Sequence, residues 1–181
     1  EESDEAAMLR EQLAPIPVYA NPDRVGSMRL ADKEHLVDVF LLDDGFQHWR
    51  VRRDMDIVAL DAAKPFGNGA LLPRGILREP VKALERADIF VMTRVDTADK
   101  GTGELRRALV SLNPNGCIIE AVHLPVSLKN HFSADVFEDF SIIQDRICAF
   151  CAIGAPDNFR SALERLGGRV QGFFRFVDHH V

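Results

Sequence analysis

The chain has 181 residues, 46% apolar and 28% charged, with a formal net charge of −6, so it can bury a real core as one domain or one and a fraction. The acidic balance argues against a general nucleic-acid binder, which needs a basic footprint. No apolar stretch approaches the ~18 residues of a membrane span, no secretory signal is visible, and three cysteines build no disulfide framework, which favours a reducing compartment.

In chain order, Asp4 to Leu13 has helical spacing at Met8, Leu9 and Leu13, with acidic residues suited to a first turn. Ile16 to Ala20 reads as a short strand and Val37 to Leu42 as a central, buried one. Asp56 to Leu60 is a further apolar strand closed by Asp61. Pro80 to Ala87 reads as a helix with proline at its first turn, followed by a strand from Ile89 to Thr93. Glu104 to Leu112 fits a helix stopped by Asn113-Pro114, and Cys117 to Val122 a strand. Val136 to Ile143 is ambiguous. Ile147 to Ile153 reads as a strand, Asp157 to Leu166 as a helix ended by Gly167-Gly168, and Val170 to Phe176 as a last strand.

Strands alternating with helices predict an α/β fold, a mainly parallel sheet flanked by helices. The continuous apolar strands suggest burial on both faces. Cys148-Ala149-Phe150-Cys151 has redox or zinc spacing on paper, but positions i and i+3 of a strand face opposite ways, so both thiols read as core residues.

Two segments ask for the same chemistry. Val37 to Leu42 ends in Asp43-Asp44-Gly45-Phe46-Gln47-His48, which would place carboxylates at the C-terminal edge of a sheet, where open α/β proteins bind ligands. There they would face a cleft within reach of one cation. The second segment is Phe66-Gly67-Asn68-Gly69 followed by Leu71-Leu72-Pro73-Arg74-Gly75-Ile76-Leu77-Arg78-Glu79-Pro80, with positive φ expected at its first two glycines. A hard cation such as Mg²⁺ takes oxygen ligands and arrives with substrate phosphates. Arg50, Arg52, Arg53, Lys64, Arg74 and Arg78 near these segments suit either phosphate recognition or a solvated basic face. Asp-Asp-Gly is also a common turn signal, and Arg78-Glu79 could be a surface ion pair.

Leu41 to His48, Phe66 to Gly69 and Leu71 to Pro80 together resemble the tetraacyldisaccharide 4′-kinases of lipid A biosynthesis. Ser3-Asp4-Glu5 is similar to that family's Gly-Asp-Glu segment, with Ser in place of Gly. Ile153 to Phe159 resembles its Gly-x-Pro-x-x-Phe turn, and Phe176-Val177-Asp178-His179-His180 its Phe-x-Asp-His-His. The motifs occur in family order from one end of the chain to the other.

The resemblance implies a P-loop-kinase-like fold and transfer of the ATP γ-phosphate to the 4′-hydroxyl of a lipid-linked glucosamine disaccharide 1-phosphate. It implies Asp4 as base and His179 as its orienting partner, so the two are expected to converge. Asp43 and Asp44 match carboxylates around Mg²⁺. Gln47, His48, Arg78 and Glu79 match cofactor-binding positions, and Glu5 and Arg24 substrate-binding ones. ATP, Mg²⁺ and the glycolipid are the implied partners, with no nucleic acid.

No G-x-x-x-x-G-K-[ST] occurs in the chain. The chain opens without Met and therefore reads as a central piece of such a kinase, truncated at both ends and inactive alone. Residues 1–145 would hold the carboxylate-bearing core of a partial kinase domain, and 146–181 the start of a C-terminal region. The expected location is the cytoplasmic face of the bacterial inner membrane, with membrane contact through an apolar N-terminal helix that precedes this stretch. Two other readings remain open here. One is a metal-dependent phosphoesterase of the Asp-His-His type, using Asp43, Asp44 and Asp61. The other is a non-catalytic α/β nucleotide-binding module.

Overall fold

The computed structural model describes residues 4–35, 37–98 and 101–177, with backbone alone at Asp4 and Ile142. They form two compact units, one ending at Val122 and one starting at His123.

The first unit opens with α1 (Asp4–Leu13) and α2 (Arg24–Glu34). Asp23 caps α2 by accepting a hydrogen bond from the Gly26 amide at 3.1 Å. The Asn21-Pro22-Asp23 start signal announces this helix, which the reading of the sequence missed. Between the helices, Ile16 to Ala20 forms no strand. Pro15 and Pro17 cannot donate to a ladder, and the Val18 carbonyl accepts from Arg10 Nε instead, at 3.0 Å.

Three parallel strands follow, β1 (Ile57–Asp61), β2 (Ile89–Thr93) and β3 (Cys117–Glu120), in that spatial order. Helix α3 (Gly101–Leu112) crosses over from β2 to β3, and a 3₁₀ helix, Val81–Arg86, precedes β2. The expected helix at 80–87 is thus a tighter turn that starts directly after Pro80. The core joins Leu60 and Ala62 to Leu84, Ala87, Phe90, Met92, Leu105 and Leu109. Phe90 and Met92 share one face of β2, while Leu105 and Leu109 share one face of α3 by i,i+4 spacing. Full burial of Phe90, Met92 and Leu109 contributes roughly 1.5–3 kcal/mol each. Asn113 closes the end of α3 by donating from Nδ2 to the Ala87 carbonyl at 2.9 Å.

Two sequence expectations are corrected here. Burial along β2 alternates between buried and half-buried residues, so the sheet has one buried face rather than two. Val37 to Leu42 forms no strand: it joins no ladder among the described residues, and Leu41 is 92% exposed. A strand exists only where a neighbour takes up its amides and carbonyls, and the three-stranded sheet contains no such neighbour for this run.

The second unit holds a minimal hairpin, β4 (Leu128–Lys129) with β5 (Val136–Phe137), and a short 3₁₀ turn at Ser141–Ile143. These resolve the ambiguous 136–143 stretch. A βαβ unit follows: β6 (Arg146–Cys151), α4 (Pro156–Arg165) and β7 (Arg169–Arg175), with β6 and β7 parallel. Helix α4 starts on Pro156 and is closed by Gly167, whose φ of 93° lets the following Gly168 amide turn back to Leu163 O at 3.0 Å. Cys151 is buried and Cys148 exposed. The opposite-face argument therefore holds, and the expectation of two core thiols holds for Cys151 alone.

Candidate functional site

A turn at Asp43-Asp44 follows the unpaired apolar run. Asp44 takes φ of 52°, a left-handed conformation that aspartate tolerates better than most residues. The His48 amide closes the next turn on the Gly45 carbonyl at 2.9 Å. Arg53 braces the segment from below. Its Nη1 donates to the carbonyls of His48 and Val51 at 2.9 and 3.2 Å. Its Nε and Nη2 grip both oxygens of Asp56 at 2.5 and 3.2 Å. The hydrogen bonds that Arg53 donates to Asp56 raise the Arg53 pKa above its already high ordinary value. This arginine is spent on structure rather than held ready for phosphate.

The Phe66 to Leu77 loop is tied to itself. Asn68 is the clasp: Oδ1 accepts from the Ala70 amide at 3.1 Å, and Nδ2 donates to the Arg74 carbonyl at 2.8 Å. Gly67 and Gly69 have φ of 56° and 73°, as the sequence predicts. A Cβ on Gly75 would lie 2.2 Å from both the Ala70 carbonyl oxygen and Asn68 Oδ1. Only glycine fits that approach. The loop thereby delivers Arg78 and Glu79 to fixed places at the start of the 3₁₀ helix.

The two motif segments meet. Arg78 Nη1 donates to Asp44 Oδ2 at 3.0 Å across 34 residues of sequence. Glu79 Oε2 accepts from Arg86 Nη1 at 2.8 Å, and Arg86 Nη2 donates to the Phe46 carbonyl at 3.1 Å. The Arg86 guanidinium lies 4.2 Å from the Phe46 ring centroid and 4.3 Å from that of Trp49, within cation–π range of both. A cleft of about 260 Å³ opens beside them, lined by Phe46, Gln47, Phe66, Arg78, Glu79 and Leu84 among others. Three buried polar atoms in this cluster, His48 Nε2, Glu79 Oε1 and Arg86 Nε, have no hydrogen-bond partner among the described residues. Such atoms are rare in folded proteins and ask for a ligand, a water or an ion.

Of the residues singled out from the sequence, Gln47, Arg78 and Glu79 line the cleft, and His48 sits half-buried in the same turn. Asp44 joins them through Arg78, while Asp43 is exposed beside it. The carboxylates thus sit on a solvated turn, not at the end of a buried strand. Glu5 is exposed on α1, and Arg24 at the start of α2 donates to the Asn21 carbonyl at 2.5 Å; neither reaches the cleft lining. The side chain of Asp4 and all of His179 lie outside the described residues, and with them the expected convergence of the pair. Phe46, Trp49 and Arg86 were not anticipated. The aromatic pair flanking Gln47-His48 is a weak sequence signal, and Arg86 has none, because its partners lie up to 40 residues away.

Among the described residues no group of three or more His, Cys, Asp or Glu side chains is arranged to hold a metal. Mg²⁺ held mainly by phosphates needs only one or two protein carboxylates. Asp43, and Asp44 through the oxygen Arg78 does not use, fit that role. Asp61 is committed elsewhere, accepting from Arg94 Nη2 at 2.5 Å and from the Ala63 amide at 3.0 Å.

The family model described as tetraacyldisaccharide-1-P 4′-kinase matches residues 2–181. Relatives named tetraacyldisaccharide 4′-kinase include one from Halothermothrix orenii, 37% identical over 99% of this chain and 50% of its own length. Others are from Syntrophus aciditrophicus, 38% identical over 99% of this chain and 50% of the relative, and from Anaeromyxobacter sp. strain Fw109-5, 39% identical over 99% and 48%. The chain spans about half the length of these curated relatives. No solved structure matches.

Proposed function

Because the chain belongs to the tetraacyldisaccharide-1-P 4′-kinase family, we propose that its whole protein transfers the γ-phosphate of ATP to the 4′-hydroxyl of a tetraacyldisaccharide 1-phosphate in lipid A biosynthesis. The observation that carries this reading is the meeting of the two motif segments. Asp44 is joined to Arg78, and Glu79 to the Phe46 carbonyl through Arg86, around a cleft with unpartnered buried polar atoms.

Bound ATP and Mg²⁺ would supply the transferable phosphoryl group and the cation that neutralises charge on its oxygens. Asp43 and Asp44 would hold the cation by carboxylate oxygens. Arg78, already balanced against Asp44, would lend positive charge to the phosphates, and His48 Nε2 and Glu79 Oε1 would take polar groups of the nucleotide. Asp4 would accept the proton of the 4′-hydroxyl as that oxygen attacks phosphorus, with His179 fixing the carboxylate. Glu5 and Arg24 would bind the glycolipid. Residues 1–145 would then carry the carboxylate-bearing core and 146–181 the start of the C-terminal region. No helix among the described residues is long and apolar enough to cross a membrane, and contact with the cytoplasmic face of the inner membrane would rest on chain outside these 181 residues.

The test is transfer of labelled γ-phosphate to the disaccharide by the full-length protein. Asp4→Ala and His179→Ala should each lower kcat by about 10²–10⁴-fold, with little added in the double variant. Near-normal turnover in either single variant would remove the assigned base. The 181-residue chain alone should release no phosphate from ATP, since it has no Gly-rich loop with its lysine to cradle the β- and γ-phosphates.

A further inference from the structure

Among the described residues, the partly buried arginine–carboxylate pairs come in two forms. Arg53 closes on Asp56 with both oxygens taken, at 2.5 and 3.2 Å, and Asp61 likewise has both oxygens bonded, by Arg94 and by the Ala63 amide. In both pairs the carboxylate is fully bonded, although Arg94 Nε is buried without a partner among the described residues. The Arg86–Glu79 pair differs. Only Oε2 of Glu79 is bonded, while Oε1 is buried without a partner. A brace that served stability alone would use both oxygens, because an unpaired buried acceptor keeps its full desolvation cost.

Arg86 itself is over-determined. One nitrogen of its fork holds Glu79, a second holds the Phe46 carbonyl, and its flat face contacts the rings of Phe46 and Trp49. Four contacts on a planar group fix its orientation, which a flexible ammonium could not reproduce. The segment it grips carries Gln47 and His48, and the residue it grips lines the cleft.

We propose that Arg86 is a positioning residue for the kinase reaction: it locks the Glu79 carboxylate and the Phe46–Trp49 segment in one geometry, so that Glu79, which lines the cleft, is held pre-oriented for bound nucleotide. This rests on the kinase reading given above. Arg86 is not among the residues that line the cleft and would act through Glu79.

The experiment uses the full-length protein with Arg86→Lys, Arg86→Met, Glu79→Gln and the Met/Gln double variant. It follows kcat/KM for phosphoryl transfer and, separately, calorimetric affinity for a non-hydrolysable ATP analogue. Arg86→Met should lower kcat/KM by roughly 100-fold, the loss that misplacement by about 1 Å can cause, and Arg86→Lys should recover part of it. The double variant should match Glu79→Gln within about threefold, because the two residues act as a unit. Multiplying losses, or a Met variant within about threefold of wild type, would overturn the inference. If the Met variant does not fold, the Lys variant decides. Reduced kcat/KM at an unchanged melting temperature supports the inference, and native kcat/KM ends it. A wild-type protein that binds the analogue but phosphorylates no disaccharide would overturn the kinase reading instead. The same cycle in affinity then decides the role of Arg86, with coupled losses upholding it and independent ones refuting it.

Discussion

The two units build parallel sheet from similar apolar strands and bury them very differently. In the first, β2 lies between β1 and β3, and its Phe90 and Met92 are fully buried in one cluster with Leu109 of α3 and Leu84 of the 3₁₀ helix. In the second, β6 and β7 form a two-stranded ladder with a single helix between them in sequence. Ala149 and Cys151 are buried there, while Phe150 stays 74% exposed. An apolar strand is therefore not yet a core strand. Burial depends on the elements that cover it, and three strands with a crossover helix provide what two strands and a short helix do not.

The largest expected effect breaks the comparison at its strongest point. Phe90→Ala should destabilise the first unit by about 3–5 kcal/mol, whereas Phe150→Ala at its exposed position should change stability by less than about 0.5 kcal/mol. Urea unfolding of the 181-residue chain, followed by a probe in each unit, checks both. Similar shifts for the two would show that the units do not differ in burial as described.

A smaller effect sharpens the same contrast at two glycines. A Cβ on Gly75 runs into the Ala70 carbonyl oxygen, part of the backbone, at 2.2 Å, so Gly75→Ala should cost about 1–3 kcal/mol and loosen the loop that delivers Arg78. A Cβ on Gly172 meets Cys148 Sγ at 2.9 Å, and that exposed side chain can rotate away. Gly172→Ala should therefore be nearly neutral. Equal costs in thermal melts would contradict the distinction between a rigid and a yielding neighbour.

The smallest effect concerns pH in the second unit. Hydrogen bonds from the Ser141 side chain and then its backbone amide lower the Asp139 pKa. A carboxyl whose folded pKa is depressed contributes stability that is present above its unfolded pKa and lost as pH falls through the folded one. Carboxyl NMR titration should place Asp139 below the usual aspartate range, and Ser141→Ala should move it back up. Coincident titrations would remove the proposed cause.

Much of the order of elements was legible in the sequence. The Ile89–Thr93 strand and the Asp4–Leu13 helix fall where they were expected, and β1, β3, β6 and β7 lie within a residue or two of expectation. These elements were readable because strand periodicity, helix starts and glycine stops are local signals. The candidate site was legible as residue identities: Gln47, Arg78 and Glu79 were named from motif and do line one cleft. Its wiring was not, because the Asp44–Arg78 bond and the Arg86 contacts to Phe46 and Trp49 join residues far apart in the chain.

The sequence by itself determined the family, the α/β character, the motif residues and the positive φ of Gly67 and Gly69. The tertiary structure alone decided which apolar runs become strands and which carboxylates are already committed. Val37 to Leu42 shows why. It has the composition of a central strand, yet its backbone groups find no ladder partner and Val39 remains 70% exposed. Asp56 and Glu79 are alike in being carboxylates gripped by arginine, but one has both oxygens bonded and the other has one buried without a partner among the described residues. Local propensity is written in neighbouring residues. Pairing, burial and hydrogen-bond satisfaction depend on groups that only the fold brings within reach.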